Sequence, residues 1–391
     1  MVTEKEALRL LSVLLALVMP FLSNCTMNRV SFETVGEVSF KFSDTDTKMQ
    51  EIRYYENEKN KYCVYLHPTK KKIEFSNLNS RNIDYSIPLD QFDSIRSLKE
   101  GVSFYVCNPD SVFLLFPHDR TIYLIGLDGG IVNQWTVNME LDHQNKEYVL
   151  LNMPQIPLFY QDGKIYVMAV RTDVLMRNPA DRKTYFATLP DVRIDISGSS
   201  SSISNKTGKW PDIYGSGAGY RDYWPHRCIG GRGQVVYAYS IDHNLYVYDC
   251  DVLARKVKAK SEYFTPISAY PDSESGHFAY LKKYWVTEPR YIKIVYDPYN
   301  NLYYRIVAHA MEYEKSDGVT VNDTQDKPWS VMVLDSDFNV IDEVVFDPNV
   351  YSYAYFSVTK DGILISKRKK DGEAFSNNTD FTLFNISQTF Q

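Results

Sequence analysis

From residue 30 onward, apolar residues recur with period two or in short continuous runs of β-branched and aromatic side chains, each closed by Asn, Asp, Gly or Pro. No segment sustains the i, i+3, i+4 spacing of an amphipathic helix, so the pattern predicts strands and turns throughout. The clearest stretch runs 111–116, a turn at Pro117-His118-Asp119-Arg120, 121–125, a second turn at Asp128-Gly129-Gly130, then 131–137. An Asp-Gly pair between apolar runs is a strong hairpin signal, and the stretch reads as a meander of at least three strands.

The same grammar returns on either side. Tyr62-Cys63-Val64-Tyr65-Leu66 with 71–75 precedes the meander; after it come 157–170 around Asp162-Gly163, 235–248 around Asp242-His243-Asn244, 291–307 around Asp297-Pro298, and 353–366 around Asp361-Gly362. Corresponding strands near Tyr65, Leu124, Tyr166, Leu245, Tyr303 and Leu364 are spaced by about 40 to 80 residues, the range of repeats with one four-stranded sheet per blade plus loop insertions. The predicted fold class is therefore all-β, a six-bladed β-propeller following an N-terminal signal segment. Radial packing of such sheets leaves only short, protected edges. The stretch 38–42, ahead of the first unit, is expected to complete the last blade and fasten the circle. A long β-sandwich or two stacked domains is the alternative, and the number and spread of the units favour the wheel. Two stretches break the rhythm: 198–219, rich in Ser and Gly, is expected to be a long loop, and 311–327 is polar and acidic.

The first residues carry a different pattern. Lys5 and Arg9 lead into a largely apolar run over 10–22, shorter than the roughly 20 residues a membrane-spanning helix needs and of the length of a secretory signal. Leu22-Ser23-Asn24-Cys25 then resembles a lipobox, with Cys25 as the lipidation candidate. Asn24 stands where Gly, Ala or Ser is usual, which leaves plain secretion with nearby cleavage open. The expected organisation is a signal peptide over 1–24, a linker over 25–36 and the propeller over 37–391. The protein is expected to be exported and lipid-anchored, on the periplasmic side of the outer membrane or at the cell surface.

Composition narrows the classes of partner. A formal charge of −6 with no long Lys/Arg block leaves no footprint for a phosphate backbone, so nucleic acid is not expected as a partner. The excess of Tyr suits strands with one end buried and a hydroxyl at the wet end. Cys63, Cys107, Cys228 and Cys250 form an even set after Cys25 is set aside, and the sequence leaves pairing and free thiols equally open. The scattered histidines and the lack of Cys/His spacing give no support to a metal, and no cofactor is expected. Gly215-Ser216-Gly217-Ala218-Gly219 lacks the Lys and the strand-to-helix context of a phosphate cradle.

Propeller loops gather at two faces around a channel, so a site is assembled from several blades. The densest polar and aromatic cluster is 220–227, from which Arg221, Tyr223, Trp224, His226 and Arg227 are the ligand-binding candidates, with Trp210 and Tyr214 nearby. Rings stack while guanidinium groups make paired hydrogen bonds, a combination suited to sugars, peptides or carboxylates. Arg290, in Glu288-Pro289-Arg290-Tyr291, is a further candidate on the same face. A blade-edge strand with packing aromatics is the structural alternative for the cluster, and a solvated turn for Arg290.

The lipobox-like start, the six β units and Tyr296-Asp297-Pro298-Tyr299-Asn300-Asn301-Leu302-Tyr303-Tyr304-Arg305 together resemble an uncharacterised family of Bacteroidota lipoproteins, the domain of unknown function 4221 type. The resemblance covers nearly the whole mature chain and implies a propeller, with no known reaction. Thr26-Met27-Asn28-Arg29 lacks the acidic run associated with surface export in that group, which favours the periplasmic side. Two functions follow as expectations. The first is a propeller that binds a glycan, peptide or protein partner; the second is a propeller hydrolase or lyase acting on a glycan with carboxylates and His226 in the channel. Binding leads, because nothing resembles a nucleophile with its base, and no catalytic residue is nominated.

Overall fold

The computed structural model describes residues 28–41, 52–92, 102–137, 148–151, 156–171, 178–198, 200, 202–216, 218–274, 277–368 and 378–390. The leader over 1–24 and the lipidation candidate Cys25 lie outside the described residues. The strands form six antiparallel sheets arranged as blades of a propeller. Blade 1 is Ile52–Glu56, Lys61–His67, Lys72–Asn77 and Ile83–Pro88. Blade 2 is Ser103–Asn108, Ser111–Phe116, Thr121–Ile125 and Ile131–Thr136. Blade 3 is Tyr148–Leu151, Lys164–Arg171, Asp191–Asp195 and Ser202–Thr207, with Phe159–Gln161 also paired to its second strand. Blade 4 is Pro225–Ile229, Val235–Tyr239, Asn244–Asp249 and Val252–Lys258. Blade 5 is Arg290–Asp297, Leu302–Ala308, Trp329–Leu334 and Val340–Phe346.

Blade 6 closes the ring with both ends of the described chain. Tyr351–Thr359 and Gly362–Lys367 are followed by Asn378–Phe390, on which Asn28–Lys41 pairs as the fourth strand. Val38 lies opposite Phe381 and Ser39 opposite Asp380, as the fastening role of 38–42 requires. The strand also reaches back over 28–36, a stretch expected as linker, and that expectation is corrected. Alternation supplies the reason: Val30 is buried, and Phe32 meets Phe346 edge-on with ring centroids 5.5 Å apart.

The middle strands of the blades are almost wholly buried while the fourth strands are largely exposed. Face-to-face packing of neighbouring blades makes the core. Val64, Leu66, Phe75 and Ile87 of blade 1 meet Phe104, Leu114 and Phe116 of blade 2, each such side chain contributing about 1.5–3 kcal/mol by leaving water. The Asp128-Gly129 turn holds Gly129 at φ +80°, and a Cβ there would stand 2.1 Å from the Pro88 carbonyl oxygen of blade 1. Only glycine serves that hairpin and that approach.

Helices interrupt the predicted all-strand reading. Helix α1, Pro179–Phe186, starts on an Asn178 side chain that accepts from the Asp181 amide, with Pro179 in its first turn. Helix α2 is the short Asp212–Gly215, and α3 is Phe278–Thr287. The Ser/Gly stretch 198–219 is likewise not one loop, since Ser202–Thr207 is the outer strand of blade 3 and α2 follows. Its small polar residues suit an edge strand as well as a loop. Among the described residues no helix is long and apolar enough to cross a membrane.

Candidate functional site

Strand direction decides where the long insertions go. Arg290 pairs with Ala308 and Ala308 with Trp329, so the start of the innermost strand, the end of the second and the start of the third share one end of blade 5. The equivalent end of blade 3 carries 178–190 with α1, and the crossings between blades carry 208–216 and 218–224 with α2 and 259–274 and 277–289 with α3. The blade 5 insertion 309–328 joins them, so all four lie on the face where the innermost strands begin.

A cavity of about 540 Å³ opens among these elements, within the size range of small-ligand pockets. Ile52 and Arg53 line it from blade 1, Pro157 from blade 3, His226 from blade 4, Arg290–Lys293 from blade 5 and Ser352–Ser357 from blade 6. Asp222, Trp224, Trp285, Thr324 and Gln325 come from the insertions. Innermost strands of several blades thus form its wall, which makes it the mouth of the axial channel.

Among the described residues, this lining holds the cations Arg53, Arg290 and Lys293 and the carboxylate Asp222. Arg290 Nη1 donates to Asp222 Oδ2 at 3.1 Å. Burial is the largest influence on the Arg290 guanidinium and would lower it, yet Asp222 and Tyr353 together outweigh it and hold the group above its ordinary value. Lys293 Nζ donates to Phe356 O at 3.2 Å, tying blade 5 to blade 6, and Arg53 Nη2 donates to Phe104 O and Leu158 O at 3.1 and 3.0 Å. Behind the wall, Lys327 is completely buried and its Nζ donates to Trp285 O at 2.9 Å and Glu288 O at 2.5 Å, the C-terminal carbonyls of α3. Burial, then the charge of Arg290, pulls the Lys327 ammonium down to about 7, with Asp222 and Glu288 acting the other way.

The structure brings Trp224, His226 and Arg290 together in the lining and places the other sequence candidates elsewhere. His226 is buried with Nε2 3.3 Å from Ser240 Oγ. Arg227, one residue on, projects to the opposite side of its strand. Its Nε lies 2.7 Å from Asp191 Oδ2, its Nη2 donates to Tyr166 O at 3.2 Å, and its guanidinium covers the Phe159 ring, all in blade 3. Asp191 is raised to about 6 by burial, with Arg227 opposing. Arg221 covers the Tyr270 ring at 4.8 Å. Tyr223 sits among Tyr185, Phe186 and Trp210, with Trp224 5.1 Å away on its other side. Helix α1 therefore reaches the cavity through Tyr223, which backs Trp224, while Trp210 and Tyr214 are core residues.

Sequence reading missed Arg53, Asp222, Trp285, Lys293, Lys327 and Tyr353. Asp222 sat inside the chosen cluster and was the available signal; the others lie in unremarkable strands and insertions. Cys63, Cys107, Cys228 and Cys250 are free thiols. Among the described residues no three or more His, Cys, Asp or Glu side chains are placed to hold a metal.

A family model for a domain of unknown function, DUF4221, matches residues 29–344. Among solved structures, a DUF4221 family member from Bacteroides vulgatus superposes with a TM-score of 0.72 at 18% identity, over 93% of this chain and 100% of that one. That likeness shows the shared propeller. A Bacteroides fragilis protein described as exported gives a TM-score of 0.45 at 10% identity, over 94% of this chain and 97% of that one. Virginiamycin B lyase from Staphylococcus aureus gives 0.40 at 10% identity, over 91% and 99%. Neither of these two is similar enough to carry an argument about function. A comparison with curated proteins returns no match.

Proposed function

The chain belongs to the DUF4221 family, a family with a fold and no assigned reaction, and on that premise we propose that it is an exported propeller that captures a small ligand in the channel mouth. The observation that carries this reading is the cavity itself: about 540 Å³, walled by several blades, with Trp224, Trp285, Tyr353 and Tyr355 beside fixed cations. Aromatic faces and a few converging polar groups are the usual make-up of a small-ligand site. A glycan, a peptide or an exposed side chain of a protein partner would each offer a group of that size.

The hydrolase or lyase reading finds less support. Among the described residues the lining holds a single carboxylate, Asp222, and Arg290 already engages it, whereas paired-carboxylate hydrolysis of glycosides needs two acids flanking the scissile bond. His226 lies against the Ser240 hydroxyl, which is fully buried and is not among the described residues that line the cavity. Export and a lipid on Cys25 belong to the same proposal, on the strength of Lys5, Arg9, the apolar run and the lipobox-like Leu22-Ser23-Asn24-Cys25.

The test is a glycan and peptide screen with the purified mature chain, repeated on Trp224→Ala and Lys293→Ala. Both variants are expected to weaken capture at least about tenfold, the effect of losing one good stacking or charged contact, with the melting temperature unchanged. Undiminished capture by both would move the site away from the channel mouth.

A further inference from the structure

Two innermost strands present their edges to the channel mouth. A strand that offers a face to a cavity contributes alternate residues, yet Ser352 to Ser357 of blade 6 line this one without a gap, as do Arg290 to Lys293 of blade 5. Both runs coincide with breaks in the ladder. In blade 6 the register passes from Ser352 opposite Ser366 to Phe356 opposite Ile365, so Tyr353, Ala354 and Tyr355 have no opposite residue on the second strand. In blade 5 it steps from Tyr291 to Lys293 and leaves out Ile292. Bulges disrupt the ladder and free main-chain groups, and each of these strands ends its sheet, with no further strand on the channel side.

The blade 6 bulge is held at both ends and open between them. Ser352 O accepts from Ser366 Oγ at 3.1 Å, and Phe356 O accepts from Lys293 Nζ at 3.2 Å. Between these ties Ala354 is exposed, its amide donating to Ser352 Oγ at 3.2 Å. The flanking side chains are anchored elsewhere: Tyr353 Oη donates to Thr324 O at 2.6 Å, and the Tyr355 ring lies 6.4 Å from that of Phe381. The main chain itself is therefore what this strand offers to the cavity. An unpaired strand edge is a template for another chain. A peptide carries the matching N–H and C=O, one of each per residue; a glycan, which stacks its rings on aromatic faces, does not.

We infer that the ligand captured at the channel mouth is an extended peptide that adds as a short strand to the bulged edge of blade 6, along Tyr353–Tyr355, and sets its side chains against Trp224 and Trp285. This rests on the capture reading above and adds the chemical class of the ligand. In strand addition, main-chain hydrogen bonds give affinity and pockets for alternate side chains give selectivity.

The test screens a pool of acetylated, amidated hexapeptides, with a pool of oligosaccharides alongside, against the purified mature chain by ligand-detected NMR. Each peptide that binds is remade twice, N-methylated at its odd or at its even residues. Successive residues of a paired strand alternate between those bonded to the partner and those not. One methylated form is therefore expected to bind about tenfold or more weaker, and the other to stay within about threefold of its parent. Ala354→Trp, which fills the mouth from an exposed position, is expected to abolish peptide binding with the melting temperature unchanged; should it not fold, the odd-against-even comparison on the unaltered chain still decides. Both methylated forms retained, or both lost, would overturn strand addition and leave capture standing, as would undiminished binding to Ala354→Trp. Oligosaccharides binding where no peptide does would overturn the peptide class alone. No binding by either pool would overturn capture as well.

Discussion

At the scale of single residues, two histidines tie stability to acid. His243 Nδ1 lies 2.9 Å from Tyr291 Oη, and His309 Nε2 lies 2.8 Å from Ser330 Oγ. Burial, assisted by Arg305 and Lys260 at the first and by Lys327 at the second, lowers each from 6.5 to about 4. Between those values the unfolded chain takes up protons that the folded chain refuses, so the contribution is complete above pH 6.5 and is lost as the pH falls towards 4. The melting temperature is expected to drop across that window, and His243→Gln with His309→Gln to flatten the drop. An unchanged slope in the double variant would show that other groups govern it. Residue chemistry also explains which site candidates could be read from the sequence. His226 and Arg227 are neighbours in the chain, but strand alternation sends one to the channel and the other to Asp191; a run of polar letters does not reveal that division. Lys327 reads as one charge in a polar insertion, and only the fold shows it buried beneath α3.

At the scale of elements, the strands were legible because each unit carries its own turn. Asp128-Gly129 and Asp361-Gly362 close hairpins where expected, and Gly362 admits no Cβ, which would stand 2.0 Å from Phe384 O. The helices were not. Helix α3, with the sequence Phe-Ala-Tyr-Leu-Lys-Lys-Tyr-Trp-Val-Thr, is rich in aromatic residues that score as strand, and its helical state is stabilised by context, including Lys327 at its last carbonyls. The distinctive segment 296–305 also finds its role at this scale. Asp297 accepts from the Tyr299 and Asn300 amides to set the hairpin, and the fully buried Arg305 donates to the carbonyls of Tyr239, Asp242, His243 and Ala259, stitching blade 5 to blade 4. The closing strand of blade 6 offers a measurable case. Phe32 meets Tyr304, Phe346 and Phe384, and Phe32→Ala is expected to cost about 2–3 kcal/mol in denaturant unfolding, just under the range for fully buried rings. Val35, 55% exposed on the same strand, should tolerate Ala within about 0.5 kcal/mol. Equal losses at both positions would mean that strand pairing, not the Phe32 side chain, holds the closure.

At the scale of the whole molecule, the channel mouth is assembled from residues as distant in sequence as Ile52, Trp224 and Tyr355, so no local motif could have announced it. The other end of the ring has its own tie, a hydrogen bond from Tyr299 of blade 5 to Glu56 of blade 1. Location is tested at the same scale: Cys25→Ala is expected to move the protein from the membrane fraction to the soluble exported fraction and to abolish labelling by a fatty-acid analogue. Retention in the membrane with labelling lost would assign attachment to a protein partner instead.

Ring closure by the two ends of the chain bears on how the molecule is made. Ser31 and Ser387, whose hydroxyls are 2.6 Å apart, are separated by 356 residues in the chain. During synthesis the strand 28–41 emerges early and finds its partner only once 378–390 has been translated. Pairings that span nearly a whole chain carry a large loop-closure entropy and form slowly. Blades 1 to 5 can assemble in turn as they emerge, each from contiguous sequence, while the sixth waits with an unpaired strand edge exposed. That interval is the period in which the chain is most open to aggregation and proteolysis.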